Sequence, residues 1–178
     1  MEEIVFYRPT VDNLSELRRA ELKEVVEARL RTIADNDNCE DEADYILAHG
    51  YCRDGYQIAR VLEDDFGWDV DSSMIDDLDM INSDVRDFLE KELRRRVAFF
   101  KVTPPCGIGT RVAFERRHRG TTTLLIGYVI GIDRDLAEAT VYVESEGHLP
   151  PNMPFMRSMG SVTYGIIVNY ESLYGIEY

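Results

Sequence analysis

The N-terminal half of the chain carries apolar residues at helical spacing. From residue 13 to about residue 34 apolar positions recur every three or four residues, which predicts one long amphipathic helix. Shorter helices are predicted over residues 42–48, ending at Gly50, and over residues 54–66, ending at Gly67, because glycine adopts the left-handed conformation that stops a helix. The side chains expected to face the core in this region are those of Tyr56, Ala59, Val61, Leu62, Phe66 and Trp68.

Two further helices are predicted between residues 71 and 93. Asp71, Ser72 and Ser73 offer N-caps for the first, and Asn82 or Ser83 offers a cap for the second, because these side chains accept hydrogen bonds from the free N–H groups of a first turn. Five helices are therefore expected. Their last two would bury Met74, Ile75, Leu78, Ile81, Val85, Phe88, Leu89 and Leu93.

Two short apolar runs flank this helical part. Residues 2–7 (EEIVFY) and residues 97–102 (VAFFKV) have the composition of short strands. Pairing between them would connect the two halves of the chain.

Beyond residues 103–107 (TPPCG) the apolar period becomes two. Proline prevents the continuation of a helix and glycine permits a reversal, so a boundary is predicted here. Gly127 and Gly131 would lie on the outer face of a long second strand and allow it to bend, and residues 145–160 are predicted to form one long loop. The core-facing residues of the four predicted strands are Val112 and Phe114; Leu124, Ile126, Tyr128, Ile130 and Ile132; Ala139, Val141 and Val143; and Val162, Tyr164, Ile166 and Val168.

Three segments of this second half, IGTRVAFE, GYVIGIDRDLAEATVYVE and YGIIVNYESLYGI, follow a recurring pattern. An opening G-x-x-V-x-F strand, a bent G-x-V-x-G-I strand and a closing V-x-Y-x-x-L turn resemble the SH3-like or KOW-like small β-barrels. The resemblance covers residues 108–176 and implies a binding module. The sequence therefore predicts an α+β protein, with an acidic, mainly helical domain at residues 1–102 and a small SH3-like β-barrel domain at residues 103–178.

Charge is distributed very unevenly. The net charge is −14, with 26 acids against 10 bases in residues 1–92 and 8 acids against 10 bases in residues 93–178. Within residues 34–92 aspartate is much commoner than glutamate, although it is a mediocre helix former, so helix propensity does not explain its use. Such a field repels nucleic acids and membrane surfaces and attracts basic partners. A solvated surface that only keeps the protein dispersed is the alternative.

The composition also bears on compartment and cofactors. The chain begins MEEIVFYRPT, without the basic start of a secretory signal, and no apolar run approaches the roughly 18 residues of a membrane span. Three cysteines without regular spacing do not predict a disulfide framework. We therefore expect a cytoplasmic protein with no membrane anchor and no cofactor.

Candidate metal and catalytic groups are sparse. Zinc would need Cys39, His49 and Cys52 with a fourth ligand such as Cys106, but no paired C-x-x-C occurs. Calcium could use the acids that begin at Asp35, but the positions where an EF-hand needs glycine and a bidentate acid hold Glu40 and Ile46. A thiol nucleophile would pair Cys106 with His118 or His148, without a supporting local signature. Neither a metal nor a catalytic residue is predicted.

The acidic half suggests a different activity. Carboxylates three or four positions apart on a helix lie roughly 5–6 Å from each other, so helices can present rows of charge that resemble DNA phosphates, which occur once per roughly 1.7 Å of duplex axis. By charge and size this half resembles the DNA-mimicking inhibitors that phages and mobile elements direct against host defence. The residues predicted to bind the partner are Glu63, Asp64, Asp65, Asp69, Asp71, Asp76, Asp77, Asp79, Asp84, Asp87 and Glu90.

The leading hypothesis is a non-catalytic inhibitor of a nucleic-acid-binding defence complex, of the anti-CRISPR or anti-restriction type. Its partner would be a basic protein surface; direct nucleic acid binding is disfavoured, and a homodimer stays open. The first alternative is an adaptor whose barrel binds RNA or DNA through Arg111, Arg116, Arg117 and Arg119. The second alternative is an enzyme with an unrecognised site.

Overall fold

The computed structural model describes residues 6–34, 39–50, 54–143 and 165–175. The chain divides into two compact units, Tyr7–Leu93 and Arg94–Tyr178 together with Met1–Phe6, which are called the helical unit and the sheet unit below. The predicted α+β class is confirmed, because helices fill the N-terminal half and a five-stranded antiparallel sheet follows. The helices are α1 (Glu16–Ala34), α2 (Glu40–Tyr45), α3 (Gly55–Phe66) and α4 (Ser72–Phe100), with a π-helical turn at Ile46–Gly50.

Helix α1 confirms the first predicted helix and supplies one wall of the core. Leu22, Val26 and Leu30 recur every four residues and are fully buried. Leu17, which the same pattern places among the apolar positions, is 71% exposed. No helix among the described residues combines the length and hydropathy that a membrane span requires.

Local chemistry fixes both ends of α3, which was predicted over residues 54–66 with Gly67 as its end. The Asp54 side chain accepts a hydrogen bond from the Gln57 backbone N–H at 2.8 Å, and Gly67 ends the helix with φ of 71°. The core contact of α3 runs through Ile58 and Leu62. The prediction for Tyr56 was wrong: its side chain is 60% exposed, because it lies on the side of the helix away from these residues.

Helix α4 replaces two predicted helices with one. Asn82 and Ser83, expected to start a new helix, lie inside a continuous 29-residue helix. The reason is that Leu78, Ile81 and Val85 form one uninterrupted buried row on both sides of residues 82 and 83. Asn and Ser can either cap a new helix or lie within a continuous one, and tertiary packing decides between the two.

The prediction of a strand over residues 97–102 was also wrong, since α4 continues to Phe100. A short apolar run is compatible with either element, and a helix already under way extends at low cost. The partner strand at residues 2–7 lies outside the described residues except for its end. There Phe6 contacts Phe100 edge to face, with ring centroids 6.0 Å apart.

Gly55 allows α3 and α4 to approach closely. A Cβ atom at this position would lie 2.2 Å from the carbonyl oxygen of Ile75 and 2.8 Å from the backbone nitrogen of Asp79. The Gly55 N–H donates to the Asp79 carboxylate at 2.9 Å. The start of α3 is therefore held against the backbone of α4.

The sheet unit has five antiparallel strands in the order β4-β3-β2-β1-β5. Ala139, Val141 and Val168 are buried as predicted, whereas Val162, Tyr164 and the predicted loop at 145–160 lie outside the described residues. Within the described residues the sheet is open, with β4 and β5 at its edges. The barrel stays a prediction. The strands are β1 (Arg111–His118), β2 (Thr121–Asp133), β3 (Glu138–Val143), β4 (Gly165–Asn169) and β5 (Tyr174–Gly175).

The core-facing side of β2 is the opposite of the predicted one. Val129 is fully buried and Gly127 lies on the same side, while Leu124 is 61% exposed. A Cβ at Gly127 would lie 2.1 Å from the carbonyl oxygen of Tyr142, so the glycine permits close packing of β3. The register with β3 shifts between Val129 and Gly131. Because both faces of this strand are apolar, alternation alone did not define the buried face.

Candidate functional site

The whole net charge belongs to the helical unit. Residues 7–93 contain 24 acids and 10 bases, and the remaining residues contain 10 of each. The difference within the helical unit equals the net charge of −14 of the chain. The unit boundary therefore separates an acidic body from one whose charges balance.

The bases of the helical unit are concentrated on α1 and pair with acids of three helices. Lys23 contacts Glu40 at 3.0 Å and Asp44 at 2.7 Å on α2, and its pKa is raised, chiefly by the hydrogen bond to Asp44. Arg29 contacts Asp84 of α4 at 2.8 Å, and that hydrogen bond raises the pKa of Arg29.

A second group of α1 pairs lies nearer its two ends. Arg18 contacts Glu21 and also Glu92 of α4, the latter at 3.0 Å, and Arg31 contacts Glu27. Three of the five bases of α1, which are Arg18, Lys23 and Arg29, therefore join it to other helices.

Three of the eleven acids predicted to bind a partner have structural roles. Asp71 caps α4, accepting hydrogen bonds from the backbone N–H of Ser73 at 2.7 Å and of Met74 at 3.1 Å. Asp79 holds the start of α3 through Gly55, and Asp84 pairs with Arg29. Substituting these three acids would change the stability of the helical unit as well as the charge of its surface.

Seven of the remaining acids are exposed and form no ion pair with any described residue. They come from the end of α3, the turn that follows and α4, and nine of the full set of eleven are aspartates. Glu90, the eighth, is half-buried. Only two bases, Arg60 and Arg86, occur between residues 55 and 90. We call these seven the acidic surface: Glu63, Asp64, Asp65, Asp69, Asp76, Asp77 and Asp87.

Because α4 is continuous, carboxylates on both sides of residue 82 can form a single row. Asp76, Asp79, Asp87 and Glu90 share one side of a single helix, opposite its buried row. At 1.5 Å per residue the row spans about 21 Å, with a gap of about 12 Å between Asp79 and Asp87. This row is sparser than the phosphates of a DNA strand, so acids from α3 would have to contribute to any mimicry.

The Asp71 cap leads to a pH-dependent prediction. The pKa of its carboxyl is lowered from 3.8, first by the Ser73 hydroxyl and then by the two backbone N–H donors. Because the pKa is lower in the folded state than in the unfolded state, the ionised cap contributes its full stabilisation above the ordinary pKa. This stabilisation is lost as the pH falls through the folded-state pKa. Asparagine also caps helices but carries no charge. The stability advantage of the wild type over Asp71→Asn should therefore be constant near neutral pH and should shrink as the pH falls below about 5 and the carboxyl takes up its proton.

Urea unfolding at a series of pH values measures this difference. Asp65→Asn, which removes an exposed charge without a capping role, is the matched control. An Asp71→Asn difference that is constant with pH would contradict the assignment.

The candidate metal and thiol sites gain little from the structure. No cluster of metal-binding side chains occurs among the described residues, where Cys39 is buried and His49 is exposed; Asp35 and Cys52 lie outside them. Burial raises the pKa of the Cys106 thiol, which disfavours the thiolate that a nucleophile requires.

The basic residues proposed for nucleic acid binding fall into two places. Arg116, Arg117 and Arg119 are exposed at the end of the β1–β2 hairpin, which extends beyond the pairing with β3 that starts at Gly127. Arg111 is at the opposite end of β1. The hairpin turns through Arg119, which has φ of 49°.

Sequence reasoning missed a pocket beside Trp68. The indole was expected in the core, but it is half-buried and lines a cavity of about 380 Å³ together with Glu42, Phe66, Asp69 and Met74. Its Nε1–H donates to the Glu42 carboxylate at 3.1 Å. We call this cavity the Trp68 pocket. The pairing of residues 26 positions apart left no local signal in the sequence.

Comparison of the chain with protein-family models, curated protein sequences and solved structures gives no match.

Proposed function

We propose that this protein is a non-catalytic inhibitor whose acidic surface docks in the nucleic-acid-binding groove of another protein complex. The observation that carries the proposal is the segregation of charge: the helical unit holds the entire net charge of −14, and seven exposed acids of its α3–α4 region have no ion pair with a described residue. A groove built for phosphates presents Lys and Arg. Carboxylates entering it would pair with the Lys and Arg side chains that otherwise neutralise DNA phosphates.

A defence complex of the CRISPR or restriction type offers such a groove, and exclusion of its nucleic acid would inhibit it. Opposite charges also accelerate encounter, so binding should be fast at low salt and weaken as salt rises. Asp71, Asp79 and Asp84 have structural roles, and in this proposal they contribute only to the negative electrostatic field of the helical unit.

The test uses immobilised, purified nucleases and CRISPR effector complexes, with binding measured at low and physiological salt and with duplex DNA as competitor. The variant neutralises three members of the acidic surface that have no structural bond: Asp64→Asn, Asp65→Asn and Asp76→Asn. We expect its affinity to fall at least about tenfold, as for the loss of three charge contacts of 0.5–1 kcal/mol each.

The matched control removes the same number of charges from exposed acids elsewhere in the helical unit: Asp12→Asn, Glu16→Gln and Glu24→Gln. Its affinity should stay within about threefold of the wild type, since screened charges more than about 8 Å away contribute little. An equal fall in both variants, or binding that duplex DNA does not displace, would refute docking through this surface.

The exposed β1–β2 hairpin favours one second candidate, an adaptor that binds RNA or DNA. A two-stranded ribbon fits the major groove of duplex DNA, and the three hairpin arginines would contact phosphates. Direct affinity for RNA or DNA at physiological salt, lost when Arg116, Arg117 and Arg119 are changed to Gln, would support this adaptor over the inhibitor.

A further inference from the structure

We infer that the Trp68 pocket binds an arginine side chain presented by the protein partner. This inference rests on the proposed function for its source of arginine, but the chemistry of the pocket is argued from its own residues. The pocket combines aromatic rings with carboxylates, and this combination suits a flat organic cation.

Backbone geometry fixes the position of Trp68 at the end of α3. Gly67 ends α3 in the left-handed conformation, and the Trp68 N–H that follows donates to the Leu62 carbonyl at 3.0 Å. On the other side Phe66 packs edge to face against Tyr45, with centroids 5.7 Å apart. The aromatic part of the pocket is therefore held by a helix cap and by α2.

Two carboxylates complete the site. Glu42 belongs to the first turn of α2 and accepts the indole Nε1–H, which uses one of the roughly four acceptor positions of a carboxylate. Asp69 is exposed in the turn after α3. Neither carboxylate forms an ion pair within the described part of the chain, so their charge is available to a cation.

Arginine matches this site better than lysine does. A guanidinium is planar, stacks on aromatic rings and forms two parallel hydrogen bonds with one carboxylate, whereas an ammonium is a compact and strongly hydrated charge. The thioether of Met74 adds a flexible apolar wall for the methylene stem. A cavity of about 380 Å³ is at the small end of the range for ligand sites, in keeping with a single side chain.

The chain contains one tryptophan, so one indole N–H signal in a proton–nitrogen correlation spectrum reports on this pocket alone. We expect N-acetyl-arginine amide, titrated to tens of millimolar, to shift that signal saturably. The neutral isostere N-acetyl-citrulline amide should bind at least tenfold more weakly, and Nα-acetyl-lysine amide at least threefold more weakly. An equal response to citrulline would overturn the cation site, and an equal response to lysine would overturn the assignment to arginine.

Two variants locate the binding. Glu42→Gln keeps an oxygen acceptor for the indole and should weaken arginine binding at least fivefold, while Asp41→Asn, a neighbouring exposed acid that does not line the pocket, should leave it within twofold. Asp69→Asn gives a second test should Glu42→Gln perturb the fold, which the spectrum itself reports. Arginine binding that is unchanged in both pocket variants would refute the inference.

The arginine site and the proposed function can be refuted independently of each other. If the pocket ignores arginine while the acidic-surface variant still loses its partner, the pocket inference alone is wrong. If arginine binds as described but no basic complex is bound, the proposed function alone is wrong.

Discussion

Replacing Gly55 by alanine should destabilise the helical unit by about 3 kcal/mol, the upper end of the usual cost of overpacking. The added Cβ would lie 2.2 Å from the Ile75 carbonyl oxygen, and both this atom and the Asp79 nitrogen belong to the backbone of a long helix. No side chain can rotate away to relieve the contact. The two helices must separate, which also weakens the hydrogen bond from Gly55 to the Asp79 carboxylate.

Urea unfolding followed by Trp68 fluorescence measures this change, since the single tryptophan lies in the helical unit. Gly67→Ala is the matched control, because it adds the same methyl group where nothing lies within 4 Å and only the positive φ causes strain. It should cost about 1 kcal/mol. Equal losses of stability in the two variants would show that close packing of α3 on α4 does not restrict position 55 to glycine.

Removing the carboxylate of Glu92 should cost the helical unit about 2–3 kcal/mol. Glu92 is 2% exposed and receives the Arg18 guanidinium at 3.0 Å, and this guanidinium also lies 5.1 Å from the Phe88 ring centroid. Glu92→Ala would leave Arg18 partly buried without that partner. This loss of stability is smaller than the loss for a fully buried ion pair, because Arg18 retains Glu21 and some contact with water.

The same urea experiment tests this pair, with Glu24→Ala as the control because Glu24 is an exposed acid of α1. The control should lie within about 0.5 kcal/mol of the wild type. The double variant Arg18→Met with Glu92→Leu should recover much of the loss, since apolar residues of similar size often replace a buried pair without penalty. Wild-type stability in Glu92→Ala would contradict the role assigned to the pair.

Sequence reasoning succeeded where the determining chemistry is local. Asp54 and Gly67 define α3 through contacts within a few residues of each helix end, so the sequence predicted a helix over residues 54–66 with Gly67 as its end. Asn82 and Ser83 are equally good capping residues. However, Leu78, Ile81 and Val85 of α4 are buried in a core shared with the other helices, and this burial favours a continuous α4. The buried face of β2 likewise depended on its neighbours, because both of its faces are apolar.

The candidate site shows the same division. Composition alone predicted a strongly acidic helical part, and the Asp71 cap follows from its position before a helix. The roles of Asp79 and Asp84 depend on partners 24 and 55 residues away, and such contacts leave no local pattern. The Trp68 pocket joins α2 to the turn after α3, and it was missed for the same reason.

The preference for aspartate on the acidic surface has a consequence for the entropy of binding. Ordering a long side chain at an interface costs about 0.5–1.5 kcal/mol, and aspartate has one rotatable bond fewer than glutamate to immobilise. Its carboxylate also stays close to the helix backbone, at a position that the helix defines. Low helix propensity is the cost, and the buried row of α4 offsets it. Fewer rotamers would therefore be lost when a partner binds, so that more of the electrostatic attraction would be retained as affinity.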